Sequence, residues 1–328
     1  MSFSRRTLMM GSFLIATMRA AAGFAQNSVT RNGPPSSTGR IARLTQLKWG
    51  MFICWSFSTF SNEEWTRDVK DVSFFNPSGL DTDEWVRTAK DAGMGYLLFL
   101  TKHHDGFCLW NTKTTSRNVT MSPLRKDVLA AVRQSCDKYG IKLALYFSEG
   151  DWTWPDKKNA ELKKSQLREL CTNYGPIEFF WMDHAQGDGD LSHKETADFV
   201  QSIQPQCFVG FNNGDPAGDL RLGELGHPAP LTNQDGAGPY AVQSDHQYLL
   251  AEFALPLLGG ERWFYTDPKM DKQARSPWEL LGLYMGAVKY GNIFSLDVGP
   301  DRTGHLREID IQTLQQVGKL IQAFSSQC

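Results

Sequence analysis

The sequence predicts an α/β fold, a (β/α)8 TIM-like barrel forming one domain over residues 45–328. Three observations predict it. Short apolar runs alternate with helix-like segments along most of the chain, which implies a parallel sheet. Runs such as Ile141–Ser148 are apolar on both faces, as strands covered by helices are. Polar and aromatic residues gather directly after several different runs, the way a barrel assembles a site at its C-terminal rim. The competing closure is an open doubly wound sheet, but no GxGxxG or GxxxxGK(S/T) follows any run.

Each element carries its own signal. Residues 1–25 read as an export signal, with Arg5-Arg6, an apolar stretch from Leu8 to Met18 and small residues at Gly23 and Ala25. The stretch is too short to cross a bilayer, which needs ~20 residues. Ser4-Arg5-Arg6-Thr7-Leu8-Met9 resembles a twin-arginine motif. The expectation is an exported chain, periplasmic or secreted, with no membrane span. Residues 26–44 read as an extended lead-in. Trp49–Trp55 is the first strand. Asp81-Thr-Asp-Glu84 opens a helix that stops at Gly93. Tyr96–Thr101 is a strand, and a helix runs from Asp127 to Gly140 with Leu129, Val132, Cys136 and Tyr139 on one face. Ile141–Ser148 follows, then a polar helix to Tyr174 and a strand at Ile177–Met182. Ser192 and Glu195 form a capping box for a helix to Ile203, before a strand at Cys207–Phe211. Residues 212–247 read as long loops. Trp263–Tyr265 and Ile293–Leu296 are the last strand candidates, with a helix at 277–290 between them and another at 308–324.

Composition excludes several functions. The chain has 328 residues, 41% hydrophobic and 21% charged, enough for a sizeable core. A net charge of -2 leaves no basic stripe for nucleic acid. The export segment holds three Arg and no acid, so its loss would take the charge to -5. Six Cys without a CxxC exclude a structural zinc site, and the length excludes a small disulfide scaffold; their pairing stays open.

The chemistry-bearing residues sit at strand ends. Lys102-His103-His104-Asp105-Gly106-Phe107 follows a strand directly. Adjacent His side chains diverge, so they are poor ligands for one metal but can hydrogen-bond a polyhydroxylated ligand. Asp183 stands at the tip of the apolar run Phe179–Met182, where burial and neighbours tune an acid. Glu224 lies between glycines in a loop-rich region, with Glu252 and Glu261 as rival acids. Two carboxylates facing one sugar-sized cleft are the machinery of glycoside hydrolysis. HExxH and GxSxG are absent, and His184 beside Asp183 has no third ligand at suitable spacing. No metal and no cofactor are expected.

Taken together, the motifs resemble the α-L-fucosidases of glycoside hydrolase family 29. They are Trp49-Gly-Met-Phe-Ile-Cys-Trp55, Glu64-Trp65, Lys102-His-His-Asp-Gly-Phe107, Leu145-Tyr-Phe-Ser148, Trp181-Met-Asp183, Arg221-Leu-Gly-Glu224, Trp263-Phe-Tyr265 and Val298-Gly-Pro-Asp301. The order of the later motifs is most similar to the subgroup acting on 1,3/1,4-linked fucose. The resemblance implies a retaining exo-hydrolase that takes a fucosylated oligosaccharide or glycan. It implies Asp183 as nucleophile and Glu224 as acid/base. It places Cys54, Trp55, Glu64, Trp65, His103, His104, Tyr146, Trp181 and Trp263 around the sugar. Three departures stand out. Cys54 replaces a His that holds a sugar hydroxyl, His184 replaces a Gly, and the chain ends before the family's β-sandwich. The alternative reading is a carbohydrate-binding barrel without turnover, or a glycosidase for another deoxy sugar.

Overall fold

Eight strands, buried along almost their whole length, close into one parallel barrel in a computed structural model of the chain. It describes residues 40–152, 160–184, 191–212, 218–225, 241–242, 248–260, 262–289 and 291–325. The export segment and most of the lead-in lie outside these residues.

The strands are β1 (Trp49–Ile53), β2 (Tyr96–Lys102), β3 (Lys142–Ser148), β4 (Phe179–Asp183), β5 (Phe208–Phe211), β6 (Leu220–Gly223), β7 (Ala251–Pro256) and β8 (Ile293–Asp297). Each pairs with its sequence neighbours, and β1 pairs with β8 to close the ring. Side chains fill the interior as a packed core. Gly50 on β1 shows how tightly. A Cβ there would meet the Tyr96 ring at 2.5 Å, so only glycine lets that ring enter. The Tyr96 hydroxyl then reaches Ser295 Oγ on β8 at 2.7 Å.

The helices are α1 (Arg40–Thr45), α2 (Ser58–Ser61), α3 (Thr82–Asp91), α4 (Val128–Tyr139), α5 (Ala160–Asn173), α6 (His193–Ile203), α7 (Pro277–Lys289) and α8 (Glu308–Ser325). Their ends are set locally. The Asp81 and Asp127 side chains accept from the third backbone N–H of α3 and α4, and Ser192 forms a reciprocal capping box with Glu195. Gly140 ends α4 at φ 70°, a left-handed turn that glycine adopts freely.

Three expectations need correction. Residues 40–44 of the lead-in are helical, as part of α1. Trp263–Tyr265 is not a strand, since its backbone makes no ladder. The strands β6 and β7 occupy stretches that the sequence left as loop or unassigned. Arg221 and Glu252 break their apolar runs, yet both side chains are fully buried. Among the described residues no helix separates β5 from β6 or β6 from β7. None of the described helices is long and apolar enough to cross a membrane. Cys54, Cys108, Cys136, Cys171 and Cys207 are all buried free thiols.

Candidate active site

A cavity of about 390 Å³ opens at the C-terminal ends of the strands. Asp183 ends β4, Tyr146 lies near the end of β3, Asn212 follows β5 and Glu224 follows β6. The pairing of β2 with β3 shifts register between Leu100 and Lys102, just before His103 and His104 turn into the cavity. Such irregularities re-aim side chains beside sites.

Three donors hold Asp183. The Tyr146 hydroxyl donates to Oδ2 at 2.6 Å, while the His184 backbone N–H and Asn212 Nδ2 donate to Oδ1 at 2.7 and 2.9 Å. His184 adopts φ 52°, an uncommon conformation for a non-glycine residue, as its N–H turns back onto the carboxylate. Asn212 Nδ2 also donates to Glu224 Oε1 at 2.8 Å. One amide nitrogen therefore bridges the two carboxyl groups. The bridged oxygens cannot be farther apart than the two bonds end to end, which holds the two carboxyl groups close together.

The two acids differ electrostatically. Glu224 remains open to solvent at the cavity, yet partial desolvation there pushes it up to about 7, the Asp183 charge adds to the rise, and the Asn212 bond partly offsets it. Burial, with His184 and Lys102 nearby, drives His104 down to about 2, so its ring is neutral. Its Nδ1 pairs with Ser148 Oγ at 2.7 Å and its Nε2 faces Asp183 Oδ2 at 3.6 Å. His103 is also held well below its ordinary value by burial, and its buried Nδ1 has no hydrogen-bond partner among the described residues.

Of the sequence candidates, Cys54, Trp65, His103, His104, Tyr146, Trp181, Asp183, Glu224 and Trp263 line the cavity. Trp55 and Glu64 do not. Successive side chains of an extended segment point to opposite sides, so Cys54 and Trp55 cannot both face in. Trp55 is fully buried against Phe75 and Trp85, its indole N–H donating to the Asp301 carbonyl. Glu64 stands behind Trp263, whose backbone N–H it accepts at 2.8 Å. The rival acid Glu252 is fully buried inside the barrel, accepting from Trp181 Nε1 at 2.7 Å and from Ser295 Oγ. It does not line the cavity; it orients Trp181, which stacks on Tyr146 at 5.4 Å. Cys54 sits beside the buried Asp297, and burial pushes both well above their ordinary values.

Sequence reasoning missed Asn212, Arg67, Trp152 and Phe264, which also line the cavity. The signal for Asn212 was available: it is a polar residue at the tip of an apolar strand, as Asp183 is. The others lie in loops with no such pattern. The donors on Asp183 are a phenol, an amide and a backbone N–H.

Comparison with known proteins agrees with this geometry. A family profile described as Alpha-L-fucosidase matches residues 25–326. Alpha-L-fucosidase 1 of Arabidopsis thaliana is 29% identical over 309 residues, 84% of this chain and 59% of that protein. The chain thus spans about three fifths of the length of such curated relatives. Among solved structures, a glycoside hydrolase 29 family member from an unknown rumen bacterium superposes with TM-score 0.75 at 27% identity, covering 88% of this chain and 57% of that one. Alpha-L-fucosidase isoenzyme 1 from Paenibacillus thiaminolyticus gives TM-score 0.72 at 25% identity, covering 88% and 76%. With a family match over almost its whole length, the chain belongs to the α-L-fucosidase family, glycoside hydrolase family 29.

Proposed function

We propose that the protein is an exo-acting, retaining α-L-fucosidase that works by double displacement. The observation that carries this reading is the Asn212 bridge, which sets an acid at about 7 beside a carboxylate held by three donors. Asp183 attacks the anomeric carbon while Glu224 gives its proton to the leaving oxygen, and a fucosyl ester forms on Asp183. Glu224, now ionised, takes a proton from water. The water attacks the same carbon, expels Asp183 and releases fucose with its configuration retained. His103, His104, Tyr146 and Trp181 hold the hydroxyls and ring, Trp65 and Cys54 complete the wall, and Trp263 and Phe264 supply an apolar side for the methyl group.

The substrate is a fucosylated oligosaccharide or glycan, of 1,3/1,4-linked type on the strength of Arg221-Leu-Gly-Glu224. Arg5-Arg6 and the apolar stretch after it support export to the periplasm by the twin-arginine route. Kinetics of two variants on an aryl α-L-fucoside test the mechanism. Asp183→Ala should abolish turnover. Glu224→Ala should retain the first step on a good leaving group, with azide restoring the second. An active Asp183→Ala would end the mechanism, and a wild-type-like Glu224→Ala would move the acid/base elsewhere.

A further inference from the structure

One wall of the cavity carries a cation that the hydrolytic chemistry does not use. Arg67 and Trp65 flank Thr66, which is buried and bonded to Ser61 Oγ at 2.7 Å and to Ser58 Oγ at 3.2 Å. That anchor fixes the backbone and holds Arg67 at the mouth of the cavity, where its side chain is exposed. Its guanidinium carbon lies 4.0 Å from the centre of the Trp152 ring. The indole is itself fixed from behind. Trp152 contacts the rings of His104 at 4.7 Å and His184 at 5.3 Å, and its backbone N–H donates to the His104 carbonyl at 2.6 Å.

A line of side chains thus leads outward from the nucleophile, from Asp183 through His184 and Trp152 to Arg67. A guanidinium lying over an indole keeps its five N–H donors in the plane of the group, directed to the sides rather than into the ring. Among the described residues, Arg67 makes no side-chain hydrogen bond, and no carboxylate lies within ion-pair distance of it. A pre-positioned, unneutralised fork of this kind matches a carboxylate or a sulfate, which it can grip with two parallel bonds.

We propose that Arg67, stacked on Trp152, is an anion-accepting subsite that selects leaving groups bearing a carboxylate or sulfate on the residue next to the sugar being released. This deepens the glycosidase reading and rests on it. The sugar itself occupies the floor beside Asp183 and Glu224, so its neighbour must lie toward the mouth, where Arg67 stands. Stacking lowers the entropy lost when the guanidinium is ordered on a ligand, which is the advantage of a preformed contact.

Three matched fucosyl disaccharides test the proposal: one with a neutral hexose, one with the corresponding uronic acid and one with the sulfated hexose. The readout is kcat/KM for each anionic substrate divided by that for the neutral one. At low ionic strength at least one ratio should be about tenfold above unity, the scale of a charge-assisted contact, and should shrink as salt screens it. Arg67→Gln should bring the ratio to about one, and Arg67→Lys, which keeps the charge but loses the fork, should leave an intermediate value. The uronic acid and sulfate arms identify which oxyanion fits. Ratios at or below one in the wild type, or ratios unchanged in Arg67→Gln, would overturn the subsite. If the wild type cleaves no fucoside, the glycosidase reading fails separately. Calorimetric binding of the same three disaccharides then reads the same ratios, with equal affinities overturning the subsite.

Discussion

Asn212 shares one amide between two carboxyl groups, and its bond partly offsets the desolvation and the Asp183 charge that raise Glu224. Glu224 must be protonated to act as the acid, so activity should fall as pH rises through about 7. The Asn212 bond favours the ionised form of Glu224 and lowers its pKa. Asn212→Ala removes that effect. The alkaline limb of the kcat/KM profile should then move to higher pH, while kcat falls about 10–100-fold through a lost bond to a charged group. A limb that stays put or moves down would show that Glu224 is not the titrating acid. At this scale the sequence singled out Asp183, at a strand tip, and Glu224, between glycines, and both line the cavity. It did not separate Trp55 from its neighbours, because a flat apolar side chain suits a core and a sugar equally well. Only the strand's alternation assigns Cys54 to the cavity and Trp55 to the core.

Among the elements, those with strong local signals were legible. The caps at Asp81, Asp127 and Ser192 and the stop at Gly140 fix helix ends through bonds within a few residues. The strands β6 and β7 were hidden because a buried ionisable residue, Arg221 or Glu252, interrupts each apolar run. The partners of Glu252 on β7 are on β4 and β8. Burial raises Glu252 to about 7 in the fold. In the unfolded chain it titrates in the ordinary carboxylate range. Its contribution to stability is therefore complete at low pH and is lost as pH rises toward 7, by up to about 3 kcal/mol. Gln resembles the protonated acid: its carbonyl can accept from Trp181 and its amide can donate to Ser295. The stability of Glu252→Gln relative to wild type, measured by urea unfolding at pH 5 and at pH 8, should therefore increase with pH. A difference independent of pH would mean that Glu252 is ionised in the barrel.

For the molecule as a whole, alternating apolar runs and polar strand ends sufficed to predict the barrel. The stretch around β6 was not legible, because its Gly-, Pro- and Asn-rich composition reads as loop. The N-terminal segment leads to a prediction about the whole chain: Arg5→Lys with Arg6→Lys should leave uncleaved precursor in the cytoplasm, as fractionation of the producing cells would show, and normal export would exclude the twin-arginine route. The central claim is that Asp183 and Glu224, joined by Asn212, carry out two successive displacements at one carbon. Its most direct test is proton NMR of the fucose first released from an α-L-fucoside, recorded before the anomers equilibrate. The account predicts that the α anomer appears first, and initial release of the β anomer would contradict it.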